Sequence, residues 1–166
     1  MRSGLDSAED DFKKWLSPSV VVDSSGFPLL LEHRTNGEFD TLDPSKKVDG
    51  GLHFGTSEQA SMRAGKGSRV IRAYLKAKNI RRSKDRGGNW KSIIASAKRA
   101  GMDAIVYLNR YEGLTTEVIE RLSASGDLSR LDDMTDAQFR KVVPEARDSY
   151  IVFRQDQLWI ERDRSE

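Results

Sequence analysis

The stretch at residues 51–60, GLHFGTSEQA, constrains the fold more than any other segment of this chain. Its run LHF predicts a short strand, and Gly55 permits a tight turn or a close backbone approach to a ligand. Thr56, with Glu58 and Gln59 after it, predicts a helix N-cap and a polar first turn. Free backbone N–H groups then lie beside an aromatic ring, an arrangement that suits a ligand with a flat ring and a phosphate. The alternative is an ordinary strand–turn–helix joint.

The composition predicts one soluble domain. The chain has 166 residues, of which 37% are hydrophobic and 33% are charged. No apolar run approaches the ~20 residues that span a bilayer, and the acidic start MRSGLDSAEDD has no hydrophobic signal core. There are no cysteines and only two histidines, so we expect neither disulfides nor a metal site, and we expect a cytoplasmic protein.

Positive charge is concentrated in residues 63–99. This segment holds thirteen Lys or Arg against one acidic residue, whereas the net charge of the whole chain is only +2. A basic segment in an otherwise acidic chain favours an anionic partner, such as nucleic acid, a nucleotide or an acidic protein face. The alternative is a solvated basic face.

Several short strands separated by helices predict an α+β fold with a mixed or antiparallel sheet. A helix around residues 7–16 precedes a predicted hairpin at 20–31, whose second strand places Glu32, His33, Arg34 and Thr35 at its end. Further strands are predicted at 69–76, 104–107, 150–153 and 158–160, with a loop at 78–88. Residues 112–147 carry two helix starts and no strand pattern, so we interpret them as a helical insertion.

Five segments, in this order, resemble the ADP-ribosyltransferase domains of phage and bacterial polyvalent proteins: FKKWLSPSVVVDSSGFPLLLEHRT, GLHFGTSEQA, RVIRAYLKAKN, GMDAIVYLN and DSYIVFRQDQL. The resemblance covers most of the chain and omits residues 112–147. A more distant similarity, to the catalytic domain of poly(ADP-ribose) polymerases, suggests individual roles. The implied fold is a split antiparallel or mixed sheet with flanking helices.

The resemblance implies a catalytic set. His33 matches a histidine that holds the nicotinamide ribose, and His53 falls where the family has a stacking tyrosine, with Phe54 beside it. Ser149 falls where the family has a catalytic glutamate, and Asp148 or Glu112 could substitute for it, or the target itself could act as the base.

The resemblance also implies a set of NAD-binding residues. Arg34 replaces a glycine whose backbone grips the nicotinamide amide, and Thr35 and Thr56 line the cleft. Gln157 matches a glutamine that follows the last strong strand, and Tyr107 lies at a strand end among polar residues.

The function implied is that of an NAD-dependent mono-ADP-ribosyltransferase, with NAD as co-substrate, no metal, and a protein or nucleic-acid acceptor. Its setting would be the cytoplasm of a bacterium or of a host cell into which it is injected. Ser149 cannot polarise a ribose hydroxyl as a carboxylate can. The alternative is therefore a catalytically degenerate module of the same fold that binds a nucleotide or nucleic acid through residues 63–99. A protein-interaction module without a small ligand is the third hypothesis.

Overall fold

The computed structural model of the protein describes residues 4–35, 42–64 and 69–161. Within these ranges the chain forms seven strands, which are β1 (Leu31–Thr35), β2 (Leu52–Phe54), β3 (Arg69–Leu75), β4 (Ile80–Arg82), β5 (Ala104–Leu108), β6 (Asp148–Val152) and β7 (Leu158–Ile160). The α-helices there are α1 (Gly4–Leu16), α2 (Ser57–Ala64), α3 (Trp90–Arg99), α4 (Thr116–Ser125) and α5 (Asp136–Val142).

The strands form two sheets. One has three antiparallel strands in the order β1-β3-β7, and the other has four strands in the order β2-β6-β5-β4. Every pair in the second sheet is antiparallel except β4 with β5. The α+β class with antiparallel and mixed sheets is therefore confirmed.

The two sheets meet where β1 passes the end of β2. Glu32 and Gly55 exchange two backbone hydrogen bonds across this junction, at 2.8 and 3.0 Å. Apolar side chains from both sheets form one core cluster beneath it, including Leu31, Leu52, Phe54, Leu75, Tyr150 and Val152. Burying these side chains stabilises the junction by about 25 cal/mol for each Å² of apolar surface removed from water.

Aromatic contacts hold α1 against the three-stranded sheet of β1, β3 and β7. The Phe12 ring lies 4.9 Å from the ring of Tyr74 and 5.3 Å from that of Trp159, and Trp15 lies 5.5 Å from Trp159. The face of α1 that carries Phe12 and Trp15 is therefore the face that packs on the sheet.

The predictions for residues 78–88 and for the hairpin need correction. Ile80–Arg82 is a strand, because it pairs in parallel with β5, a partner that its basic sequence does not reveal. The hairpin is reduced to a single bridge between Val22 and Pro28, and the strand that follows begins only at Leu31. His33 consequently lies in the middle of β1, and that strand pairs with β3. Residues 36–41 of the intervening loop lie outside the described residues.

Residues 112–147 contain the two predicted helices, with a 3-10 helix at Leu128–Asp133 between them. Thr115 and Thr135 cap α4 and α5, and each hydroxyl accepts a backbone N–H from the first turn. The segment has a hydrophobic cluster of its own, which packs against Leu108 at the end of β5.

Candidate functional site

The strand–glycine–helix joint that dominates the sequence forms the floor of a small cleft. Thr56 and Gln59 make a reciprocal capping box: the Thr56 hydroxyl accepts the Gln59 N–H at 3.2 Å, and the Gln59 amide oxygen accepts the Thr56 N–H at 2.9 Å. The predicted N-cap at Thr56 is therefore confirmed. A Cβ at Gly55 would collide with the Gln59 amide oxygen and lie 3.0 Å from the Ser149 hydroxyl. Only glycine leaves room here for the side chains that meet above it.

Polar side chains from β1, β2, β5, β6 and α2 converge above Gly55. They include Glu32, Arg34, His53, Arg63, Tyr107 and Ser149. The free volume among them is about 10 Å³, which is room for about one water molecule. The cleft is thus closed in this structure, and the side chains themselves fill it.

His53 is the imidazole of the cleft. Its Nε2 lies 2.6 Å from a carboxylate oxygen of Asp49, so Nε2 carries the proton and donates it. Its Nδ1 lies 3.5 Å from the Tyr107 hydroxyl, and the Trp90 ring approaches edge-on with its centroid 6.0 Å away. Burial lowers the pKa of His53, which the Asp49 hydrogen bond opposes and the charge of Arg63 reinforces. The neutral imidazole is therefore the favoured form at pH 7.

An ion pair closes the mouth of the cleft. The Arg63 guanidinium donates to both carboxylate oxygens of Glu112, at 2.7 and 3.1 Å, and to the Tyr107 hydroxyl at 3.2 Å. Burial raises the pKa of Tyr107 to about 12 although Arg63 opposes this shift, so the phenol keeps its proton. Arg63 and Glu112 are both partly exposed, with 32% and 24% of their side-chain surfaces accessible.

Ser149 belongs to the cleft but is committed to structural hydrogen bonds. Its hydroxyl donates to the Gln59 amide oxygen at 2.8 Å and accepts from the Asn109 amide at 3.0 Å. The residue is only 2% exposed. It therefore ties the start of α2 to β6.

Asp148 lies on the opposite face of β6, because successive side chains of a strand alternate. Its carboxylate accepts two hydrogen bonds from Arg82, at 2.9 and 2.8 Å, and one from Arg140 at 3.1 Å. It lines a separate groove together with Thr56 and Tyr150. The structure thus does not bring Asp148 or the Thr56 side chain into the cleft with His53.

His33 and Phe54 lie behind the cleft. His33 is 7% exposed, and its Nδ1 donates to the His53 backbone carbonyl at 2.8 Å. The centroid of the His33 ring lies 5.5 Å from that of Phe54. Phe54 is 1% exposed and belongs to the core between the sheets, and it also borders the cleft. Thr35 is the last residue of β1.

Gln157 holds backbone segments together away from the cleft. Its amide oxygen accepts the N–H groups of Phe153 and Arg154, at 3.0 and 2.9 Å. Its amide nitrogen donates to the carbonyls of Lys76 and Asp103, at 3.0 and 2.9 Å. All four side-chain bonds are internal, so this geometry gives Gln157 a structural role and does not support a cofactor contact.

Residues 63–99 do not present all their positive charge to solvent. Three arginines of the segment pair with carboxylates: Arg63 with Glu112, Arg72 with Glu32 and Arg82 with Asp148. Lys66 lies outside the described residues. Part of the positive charge of the segment is therefore neutralised within the described residues, and its preference for an anionic partner stays a prediction.

Sequence reasoning missed four residues of the cleft or its edge, which are Glu32, Asp49, Gln59 and Arg63. A signal existed for two of them. Asp49 precedes the glycine pair that leads into β2, and Glu32 shares a strand face with Arg34 by alternation. Gln59 and Arg63 become part of the cleft only because α2 folds back over the sheet.

Across residues 4–35, 42–64 and 69–161, no helix is long and apolar enough to cross a bilayer, and no cluster of three or more potential metal ligands occurs. The chain matches no protein-family model, no curated protein and no solved structure.

Proposed function

We propose that this protein is an NAD-dependent mono-ADP-ribosyltransferase whose substrate cleft lies above Gly55. One observation supports this proposal most directly. Three segments that carry the resemblance are distant in sequence, yet they are neighbours in space: β1 bonds to Gly55 through Glu32, and β2 pairs with β6. The side chains that reach one cleft from them are Arg34, His53 and Ser149.

The chemistry of the lining suits a dinucleotide. Arg34 and Arg63 supply guanidinium groups, which pair with phosphate oxygens through two parallel hydrogen bonds. His53 and Tyr107 form an aromatic wall of the cleft, and the Trp90 ring packs against both from outside the lining, with its centroid 4.4 Å from that of Tyr107. A flat nicotinamide ring suits such a wall.

The reaction would break the bond between the ribose carbon and the nicotinamide nitrogen. Nicotinamide leaves with the bonding electron pair, an acceptor nucleophile bonds to the ribose carbon, and the acceptor loses a proton. The protein contributes by holding both parts of the substrate and by stabilising the positive charge that develops on the ribose. Ligand pockets have volumes of about 300–1,000 Å³, so Arg63 and Glu112 must move apart before NAD can enter.

The test measures NAD consumption and ADP-ribose binding by the full chain. We expect labelled ADP-ribose to be transferred to a component of cell lysate, and calorimetry to detect ADP-ribose binding. Arg34→Gln should weaken that binding at least about tenfold, because charge-assisted hydrogen bonds contribute about 1.5–3 kcal/mol.

Glu145→Gln is the control. It likewise removes one charge from an ion pair, that of Glu145 with Arg121, and Glu145 is not among the residues that line the cleft. If the wild type binds ADP-ribose but consumes no NAD with any lysate, the protein is a binding module. If it does neither, the proposal fails.

A further inference from the structure

Glu32 is a buried carboxylate to which the resemblance assigned no role. It lies in β1 opposite Gly55, is 8% exposed and borders the same cleft as His53 and Ser149. Its Oε1 accepts a hydrogen bond from Arg72 at 3.3 Å. Its Oε2 is buried and accepts no hydrogen bond within the described part of the chain, and its contact with the Arg34 guanidinium is a looser 3.6 Å.

An unsatisfied carboxylate oxygen in a buried position is unfavourable. Such a group loses its hydration without gaining a hydrogen bond in return, and an ion pair at 3.6 Å makes up only part of the loss. Native proteins retain few such groups, so this one calls for an explanation. A ligand that donates a hydrogen bond to Oε2 within the cleft would supply the missing partner.

The surroundings restrict what that donor can be. A carboxylate repels a phosphate, and the adjacent Arg34 guanidinium already offers positive charge to one. The group that meets Oε2 should therefore be a neutral donor, such as a hydroxyl. The Ser149 hydroxyl cannot accept the ligand's hydrogen bond in place of Glu32, because it is already bonded to Gln59 and Asn109.

We infer that the free carboxylate oxygen of Glu32 accepts a hydrogen bond from a ribose hydroxyl of NAD and acts as the carboxylate of the reaction. This inference rests on the proposed function. No bond forms to Glu32, and the hydroxyl keeps its proton. The negative charge beside the ribose stabilises the positive charge that develops as nicotinamide departs. The carboxylate absent at Ser149 is thus provided from β1, on the other side of Gly55.

The first variant is Glu32→Gln in the full chain, with NAD consumption, ADP-ribose affinity and thermal unfolding measured together. We expect kcat to fall about 100-fold and KM to change less than about threefold, because the charge interaction matters most in the transition state. The matched control Glu145→Gln should keep the wild-type kcat.

A second variant separates catalysis from structure. Arg72→Gln removes the partner of Oε1 and leaves Oε2 in place, so it should keep kcat within about threefold of the wild type. If Arg72→Gln lowers kcat as much as Glu32→Gln does, Glu32 has only a structural role. Should Glu32→Gln not fold, Glu32→Asp replaces it. Its carboxylate is one methylene further from the ribose, so kcat should fall about tenfold.

The two proposals fail in different ways. Wild-type turnover that is unchanged in the folded Glu32→Gln or Glu32→Asp variant refutes the role of Glu32 and leaves the proposed function intact. A wild-type chain that neither binds ADP-ribose nor consumes NAD refutes both.

Discussion

Asp148 and Ser149 are neighbours in sequence but belong to different environments. Ser149 is buried in the cleft and exchanges hydrogen bonds with two amide side chains. Asp148 points to the other face of β6, where it pairs with Arg82 and Arg140, whose side chains are 47% and 50% exposed. A polar side chain on the Ser149 face of β6, the cleft face, must form hydrogen bonds with other protein groups. On the Asp148 face, the groove face, a charged side chain can be hydrated by solvent.

The same difference means that a charged side chain at position 149 affects stability differently from one at position 148. The cleft face excludes water, so each added charge must find a partner there. The groove face has a free volume of about 750 Å³ and admits solvent to its ion pairs.

Ser149→Glu should lower the free energy of unfolding by about 3–5 kcal/mol, because it buries a charge that faces the Gln59 amide oxygen, an acceptor. Urea denaturation measures the loss. Ser149→Ala is the control, with an expected cost of about 1–2 kcal/mol for the Asn109 amide left without its acceptor. A stable Ser149→Glu protein with faster NAD hydrolysis would show instead that this position accepts the family's glutamate.

Asp148→Asn should cost only about 1 kcal/mol of unfolding free energy, because exposed ion pairs contribute little even when two arginines share one carboxylate. The cost should shrink as NaCl is raised, and denaturation at low and high salt measures this dependence. We expect NAD turnover to persist. Loss of NAD turnover in a folded Asp148→Asn protein would show that Asp148 takes part in the reaction.

Glu112→Gln should tighten ADP-ribose binding about threefold, because it weakens the ion pair that closes the cleft by about 0.5–1 kcal/mol. Calorimetry on the wild type and the variant measures the change. Unchanged or weaker binding would mean that the Arg63–Glu112 pair does not gate the cleft.

Asp49→Asn should lower the pKa of His53 further, because Asp49 is the largest of the groups that raise it. NMR titration of the imidazole protons measures the shift. Asp43→Asn serves as the control, since Asp43 bonds to Ser45 and does not contact His53. A pKa that rises or stays constant in Asp49→Asn contradicts the assigned hydrogen bond.

The same shift sets a pH dependence of stability. The folded pKa of His53 lies below its ordinary value of 6.5, so the unfolded chain binds more protons between the two values. The contribution of neutral His53 is therefore complete above about pH 6.5 and is lost as the pH falls towards the folded pKa.

The elements that local chemistry determines could be predicted from the sequence. The capped start of α2 at Thr56 and the strands around Tyr107 and Tyr150 follow from turn residues and apolar runs. β4 could not be predicted, because its basic residues become a strand only by pairing with β5.

The cleft was predictable in part. His53, Arg34, Tyr107 and Ser149, which the sequence analysis singled out, line one cleft in the structure. Alternation along β6 puts Asp148 and Ser149 on opposite faces, but which of the two side chains enters the cleft depends on strand register, which local sequence does not encode. Glu32 was passed over for the related reason that its burial arises from the meeting of two sheets.

The central place of β6 has a consequence for how the chain acquires its shape. β6 lies between β2 and β5, and the hydrogen bond from Ser149 to Gln59 joins positions 90 residues apart. Contacts of such separation form slowly, because a long loop must close before any of them can stabilise the structure. During synthesis the ribosome releases β6 only after β1, β2, β5 and the helices of residues 112–147. The cleft is therefore assembled late, and nascent chains that stop short of β6 would carry nearly every cleft residue with no cleft.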